Sequence, residues 1–372
     1  MKITVERATL LSGLSRAARV IEGRNTIPIL GNVLLTASGQ TLSLRATDLD
    51  VEVRQQMDAE VAEHGDTTVP GRMLHDIVRK LPDGCQVAIE MGPNNRLVVK
   101  TGRSRFQLAT IPASDFPDLT VGDLPHTFSV PAKDLKSVID RATIAISTEA
   151  SRYYLNGILL HIAGSGNATS LRGVSTDGHR LAQVTLSEGT GAATMPGVIL
   201  PRKTVSEVSR LLGEFGGEVL VSLSEQKIRF SFDQLTLTSK LIDGTFPDYV
   251  RVVPQSPPLQ VVAEKADLTK AIDRVMTVAS ERGRAVKMAV AGRTLTLSTS
   301  NVEAGDAVEE LEVDAEPDTD ITIGFNGRYL TEILAQVAGD TVSFGLTDAG
   351  SPALIQDVTP SGALFVLMPM RV

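Results

Sequence analysis

The sequence predicts an α+β protein made of three similar units, each divided into two halves of one helix followed by antiparallel strands. Three observations predict it. The octapeptide DLKSVIDR from Asp134 returns as DLTKAIDR from Asp267, identical at five of eight positions. Other stretches around these octapeptides recur in the same order. Within a unit, apolar residues change from helical spacing to strand alternation and back.

In chain order, Leu10, Leu14, Ala17, Ala18 and Ile21 predict a first helix from Thr9. The run LLTASGQTLSLRATDLDVEV alternates as strands do, with a turn at Ser38-Gly39. Met73, Ile77, Val78 and Leu81 predict a second helix. The run QVAIEMGPNNRLVVKTGRSRFQLATI reads as a meander, with turns at Gly92-Pro93-Asn94-Asn95 and at Gly102. The succession then repeats. Leu10, Leu14 and Arg16 take the places of Leu135, Ile139 and Arg141. Thr41-Leu42-Ser43-Leu44 resembles Thr294-Leu295-Thr296-Leu297, and Thr47-Asp48, Thr176-Asp177 and Ser300-Asn301 follow at matching places. VPGRMLHDIVRKL from Val69 corresponds to LPRKTVSEVSRLL from Leu200 and GFNGRYLTEILAQV from Gly324. Asp115-Phe116-Pro117-Asp118 returns as Thr245-Phe246-Pro247-Asp248. The Pro-marked junctions LPHTF and VVPQSPP set the units at 1–124, 125–254 and 255–372.

Composition bounds the function. Of 372 residues, 42% are hydrophobic and 22% charged, which suits folded domains and excludes disorder as the main state. No apolar run approaches the roughly 20 residues of a membrane span. The start, MKITVERATLL, lacks the pattern of a secretory signal, and a cytoplasmic protein is expected. Cys85 is the only cysteine, which excludes an internal disulfide and a Cys-based zinc cluster. Within CQVAI it is expected to be a small core residue. The net charge of −8 argues against a conventional basic DNA-binding domain. The absence of Trp and an aromatic content of 4% argue against a base-stacking platform.

No GxxxxGK[ST] or GxGxxG loop is present, and His64, His75, His126, His161 and His179 lack metal-ligand spacing, so no cofactor or metal is expected. Asp48/Asp50 and Asp177/His179 offer acid–base groups. Surface turns of a repeat scaffold are the simpler account of both pairs. The predicted helices are basic: Arg7, Arg16, Arg19 and Arg24; Arg72, Arg79 and Lys80; Lys133, Lys136 and Arg141; Arg202, Lys203 and Arg210; Lys265, Lys270 and Arg274; Arg328. Acids gather in ATDLDVEV, VEAGDAVEELEVDAEPDTD and LIDGTFPD. Such a chain could hold a polyanion on one face, although solvated helix faces give the same pattern.

The stretches RYYLNGILL from Arg152, STDGHRLA from Ser175, LIDGTFPDYVRVVP from Leu241, IGFNGRYL from Ile323 and the terminal MPMRV carry a family likeness. NTIPILGNVLL from Asn25 and SRFQLATIPASDFPDL from Ser104 share it. Over its whole length the chain resembles the bacterial DNA polymerase III beta subunits, the sliding clamps.

The resemblance implies three similar DNA-clamp domains per chain and a head-to-tail ring dimer, with helices lining the hole and strands forming an outer layer. Each junction would join the first domain of one copy to the third of the other, with Phe106 and Val278 at junction positions. The implied role is a processivity factor without a catalytic site, nucleoid-associated and away from membranes. Its partners would be a second copy, double-stranded DNA, the polymerase alpha subunit, the clamp loader, and other polymerases and repair proteins. By likeness, Arg24, Arg152, Tyr153 and Tyr154 contact DNA. The helix charges add Arg72, Lys136, Arg141 and Lys203. A closed ring need not bind tightly, since topology retains it and backbone phosphate supplies contacts without sequence preference.

The resemblance also implies a groove for short extended peptides. Matching positions are Leu155, Thr176, Gly178, His179, Arg180, Leu181, Pro247, Arg251, Val252, Asn326, Tyr329, Val366, Leu367, Met368, Pro369, Met370 and Arg371. Their apolar side chains suit Leu or Phe anchors, and the polar ones suit a peptide backbone and a Gln-like side chain. Gly283 stands where an aromatic often flanks the groove, and Gly350 and Pro352 lie in a variable rim. Two other readings compete: a repeat-built enzyme using Asp177 and His179, and a protein-interaction scaffold with no DNA role.

Overall fold

The computed structural model describes residues 1–23, 26–119, 122–164, 169–186, 194–279 and 285–371. Six α-helices occur among them: α1 Arg7–Val20, α2 Gly71–Arg79, α3 Ala132–Thr143, α4 Arg202–Glu214, α5 Lys265–Met276 and α6 Gly327–Leu334. A strand runs directly into each helix, and a three-stranded meander follows it. This order recurs six times, so the doubled unit anticipated from periodicity is the actual building block.

Local chemistry sets these elements. The strand Lys2–Glu6 ends at Glu6, whose carboxylate caps α1 by accepting from Thr9 N at 2.8 Å. Asn326 caps α6, accepting from Arg328 N and Tyr329 N. The buried stripe of α1 is Leu10, Gly13, Leu14, Ala17 and Val20. Gly13 permits close helix–sheet contact, because a Cβ there would lie 2.5 Å from the Met57 side chain and 2.6 Å from that of Leu44. The hairpin at Asn94-Asn95 uses two left-handed Asn residues, at φ 61° and 51°.

The described chain forms two compact units: residues 1–132 with 206–241, and residues 133–205 with 242–372. The first contains a five-stranded sheet in the order Glu60–Glu63, Lys2–Glu6, Gln86–Gly92, Arg96–Thr101, Ser104–Ala109. Its eight-stranded sheet forms where Val51–Asp58 pairs with Leu235–Lys240, for example Val53 opposite Leu237. The second unit has a nine-stranded sheet, formed where Arg180–Thr185 pairs with Ala363–Leu367. It also has a four-stranded sheet in the order Gly305–Glu312, Thr294–Asn301, Ala285–Ala291, Asp320–Asn326. The compact units therefore cut across the sequence repeats, because strands of different repeats share one sheet.

Fully buried Phe230 and Phe232 anchor the first unit, and Phe325, Phe344 and Phe365 the second. Cys85 departs from expectation. It is half-buried, at the turn entering Gln86–Gly92, where its carbonyl accepts from Arg7 N at 3.0 Å.

Candidate functional site

The second unit contains an apolar pocket built around one tight turn. Strands Ser170–Thr176 and Arg180–Thr185 are joined through Asp177, Gly178 and His179. Asp177 Oδ1 accepts from His179 N and Arg180 N, each at 2.9 Å. Thr176 Oγ1 donates to the Arg180 carbonyl at 2.7 Å. Gly178 has φ +89°, and a Cβ there would lie 2.6 Å from Arg152 Nη1. These contacts explain the residue types in STDGHR: the Asp177 carboxylate shapes the turn.

The turn presents Arg180, whose side chain is 8% exposed. Its Nη1 meets Glu332 Oε2 at 2.6 Å, its Nε meets Asp177 Oδ2 at 3.2 Å, and its guanidinium lies 4.2 Å from the Tyr329 ring centre. The His179 ring stacks on the same Tyr329 ring, with centroids 6.5 Å apart. Burial alone would raise the Glu332 pKa, but hydrogen bonds from Arg328 and Arg180 outweigh it and hold the carboxyl below its usual range. The C-terminal segment is tied alongside by Met368 N to His179 O at 2.9 Å and Met370 N to Gly324 O at 2.8 Å.

The pocket encloses ≈ 270 Å³ and is lined by Leu155, Thr176, Gly178, Arg180, Leu181, Pro247, Val252, Val366 and Met368, with Arg152, Tyr154, Asp248 and Tyr249. Beneath it, Tyr249 packs with Val174, Leu181 and Val366. An apolar cavity with few polar groups at its margin suits an apolar side chain carried by an extended backbone.

The remaining expected groove residues are placed differently. His179 and Tyr329 line a polar cavity of ≈ 420 Å³ with Glu149, Arg202, Arg328 and Glu332. Asn326 is the α6 cap described above. Arg251 is exposed and pairs with Asp248 at 2.7 Å. Leu367 is fully buried, whereas Pro369 and Met370 are half-buried and Arg371 exposed. In the rim, Asp348 Oδ1 accepts from Gly350 N and Ser351 N, each at 2.8 Å, and Pro352 is half-buried. Gly283 lies outside the described residues. Tyr249 and Asp248 line the pocket too, although only their place inside the FPDY motif signals it in the sequence. Arg152 and Tyr154, expected only at DNA, also line this pocket.

The expected DNA-contacting cations divide into two kinds. Arg72 is exposed and donates to Ile21 O at 2.6 Å. Lys136 pairs with Asp140 one helical turn on, and Lys203 is half-buried. Arg152 grips Glu149 through two bonds, of 2.8 and 2.6 Å, and this pairing lowers the Glu149 pKa. Tyr153 is 52% exposed and meets Tyr154 edge to face. Arg141 is different. Its side chain is 12% exposed and bonds Asp357 Oδ2 at 3.0 Å, Gln336 O at 2.9 Å and Ser361 Oγ at 3.1 Å. Its charge is matched within the fold. Arg24 lies outside the described residues.

The five-stranded and four-stranded sheets have end strands of opposite charge. Ser104–Ala109 borders the five-stranded sheet, with Arg103 and Arg105 exposed and Phe106 half-buried. Gly305–Glu312 borders the four-stranded sheet, with Asp306, Glu310 and Glu312 exposed and Val308 64% exposed. Val278, just past α5, is half-buried.

Residues 1–120, 129–248 and 250–371 match, in that order, the N-terminal, central and C-terminal domains of the DNA polymerase III beta subunit. The chain belongs to the DNA polymerase III beta subunit family. Among its relatives are the Beta sliding clamps of Caulobacter vibrioides, 46% identical, and of Escherichia coli, 38% identical, each aligned over 100% of both chains. Two solved beta-subunit structures align over 100% of both chains. The sliding clamp from Bartonella birtlesii bound to griselimycin has a TM-score of 0.96 at 44% identity. The polymerase III beta of Caulobacter crescentus has a TM-score of 0.95 at 46% identity. The family likeness stated from motifs is therefore a family membership.

Proposed function

We propose that two copies of this chain close head to tail around duplex DNA as a sliding clamp, tether the replicative polymerase through the apolar pocket, and catalyse no reaction themselves. The observation that carries the closure is the pair of open, oppositely charged sheet edges. An exposed strand edge seeks a partner. Joining the five-stranded sheet of one copy to the four-stranded sheet of the other yields nine strands, the size of the sheet already present in the second unit. The arginines of one edge and the carboxylates of the other favour this pairing over like with like. A heterologous contact repeated twice closes a ring.

The units 1–124, 125–254 and 255–372 act as the three domains of each copy. Phe106 and Val278 lie at the junction. Arg72, Lys136, Arg152, Tyr153, Tyr154 and Lys203 contact the duplex, as does Arg24, which lies outside the described residues, and the cations oppose its repulsion by an acidic chain. Arg141 instead supports the fold of its own unit. Partner peptides seat a Leu or Phe in the pocket while the polar groups around His179 and Tyr329 fix the peptide backbone. Griselimycin competes for this groove.

The test is primer extension by the replicative polymerase, with loader and ATP, on long primed circles. Addition of this protein lengthens the products made in a single binding event, and griselimycin abolishes the gain. Products of unchanged length would refute the tethering role.

A further inference from the structure

The pocket floor is held by more than apolar packing. Tyr249 is 7% exposed, and its hydroxyl has two polar partners. Arg172 Nη1 lies 3.1 Å from the phenol oxygen, and His161 Nε2 lies 2.9 Å from it. His161 Nδ1 lies 2.9 Å from the Ile162 carbonyl, which can only accept. Nδ1 therefore carries the proton, Nε2 is bare, and Tyr249 donates to it; the tautomer follows from these partners. Arg172 stands opposite His161 in the strand ladder, and its Nε donates to Thr185 Oγ1 at 2.9 Å. Each donor in this chain then has an acceptor in a single arrangement.

We propose that His161 is a positioning residue for the pocket: it holds the Tyr249 phenol and so sets the ring beneath the anchoring side chain of a bound peptide. This rests on reading the pocket as the peptide site. His161 is not among the lining residues, so it acts through Tyr249. Among the described residues, the titratable or charged groups facing it are Arg172 from Ser170–Thr176 and Tyr249 from the turn Tyr249–Val252; the neighbouring strand VILP, Val198–Pro201, has none. Burial, supported by the Arg172 charge, holds the imidazole pKa below its usual range and keeps Nε2 available as an acceptor at neutral pH.

The experiment measures binding of a labelled extended peptide with Leu and Phe anchors to the full-length protein, with thermal melts in parallel. His161→Leu removes the acceptor, His161→Gln keeps one near the Nε2 position, and Tyr249→Phe removes the donor. The expected result is roughly tenfold weaker binding for His161→Leu and for Tyr249→Phe, the loss of about one buried hydrogen bond. His161→Gln restores affinity to within about twofold, and His161→Leu causes no further loss in the Tyr249→Phe background. Undiminished affinity in Tyr249→Phe, or an equal His161→Leu loss in both backgrounds, would overturn the positioning role while leaving the groove intact. Tyr249→Phe decides the matter if His161→Leu does not fold. Absence of peptide binding by the unaltered protein would overturn the groove reading itself, and the proposal with it.

Discussion

Replacing Arg141 by alanine separates a fold-supporting cation from a DNA-facing one. In the second unit, Asp357 is the hub. Its side chain is 3% exposed and it accepts from Ala338 N at 2.7 Å, Gly339 N at 2.8 Å, Arg141 Nη2 at 3.0 Å and the Ser361 hydroxyl. Removing one partner of a buried pair typically costs ~3–5 kcal/mol. Because Asp357 keeps its other three donors, a loss near the lower end, about 3 kcal/mol, is expected for Arg141→Ala. Urea denaturation followed by circular dichroism measures it, and the midpoint should fall by up to about 1 M, since m for a chain of this size is ~3 kcal/mol/M or more. Burial pushes the Asp357 pKa up, but the hydrogen bonds from Ser361, Gly339, Arg141 and Ala338 outweigh that and leave it below the usual carboxylate range. The native state thus releases this proton more readily than the unfolded chain. The resulting stability is fully present above the ordinary Asp pKa of about 4 and is lost as pH falls through the lower native value. In Arg141→Ala that acid dependence shrinks. The salt dependence of low-salt DNA binding should not change, whereas loss of one phosphate contact would lower the log–log slope by about 0.9. Unchanged stability together with a reduced slope would refute the assignment of Arg141 to the fold.

Four further outcomes are expected. Deleting Met368–Val372 removes a pocket wall and the two backbone ties to His179 and Gly324, so peptide binding by anisotropy should vanish while sedimentation still finds the dimer. Replacing both Arg103 and Arg105 by Glu puts like charges against the Gly305–Glu312 edge, so dimer dissociation should rise at least tenfold, about 1.4 kcal/mol, by sedimentation equilibrium. Peptide affinity should fall on acidification as His161 protonates and loses its acceptor. Since its pKa is lowered, that fall begins below the usual imidazole range, and Tyr249→Phe should abolish this component. Gly178→Ala forces a Cβ into a left-handed backbone at 2.6 Å from Arg152 Nη1, so peptide binding should weaken, with a circular dichroism spectrum close to that of the parent.

The α+β repeat plan was readable because helical and strand periodicities are local properties, as Leu10, Leu14 and Ala17 in α1 illustrate. Turns were readable for the same reason: Asn94 and Asn95 adopt the left-handed backbone their residue type tolerates. The division into two compact units was not readable, because pairing of Val53 with Leu237 leaves no local trace. Distance in sequence also hid the role of Arg141. It stands in a basic helix among DNA-facing candidates, yet its carboxylate partner lies 216 residues further on. The motifs carried by the family include Leu155, Leu181, Pro247, Val252, Val366 and Met368, which the structure brings to one apolar pocket. Tyr249 escaped notice because an aromatic inside FPDY can serve as core or as lining, and here it serves as both. The apolar neighbours of Cys85 suggest a core position, but the strand starts one residue later and leaves it half-buried.

The central claim is topological linkage to DNA. The most direct measurement loads the protein onto nicked circular duplex with its loader and ATP, then linearises half the sample and follows retention. Persistence on circles and rapid loss from linear molecules are expected. Equal retention on both would mean that direct contacts hold the protein, and the ring would have to be abandoned.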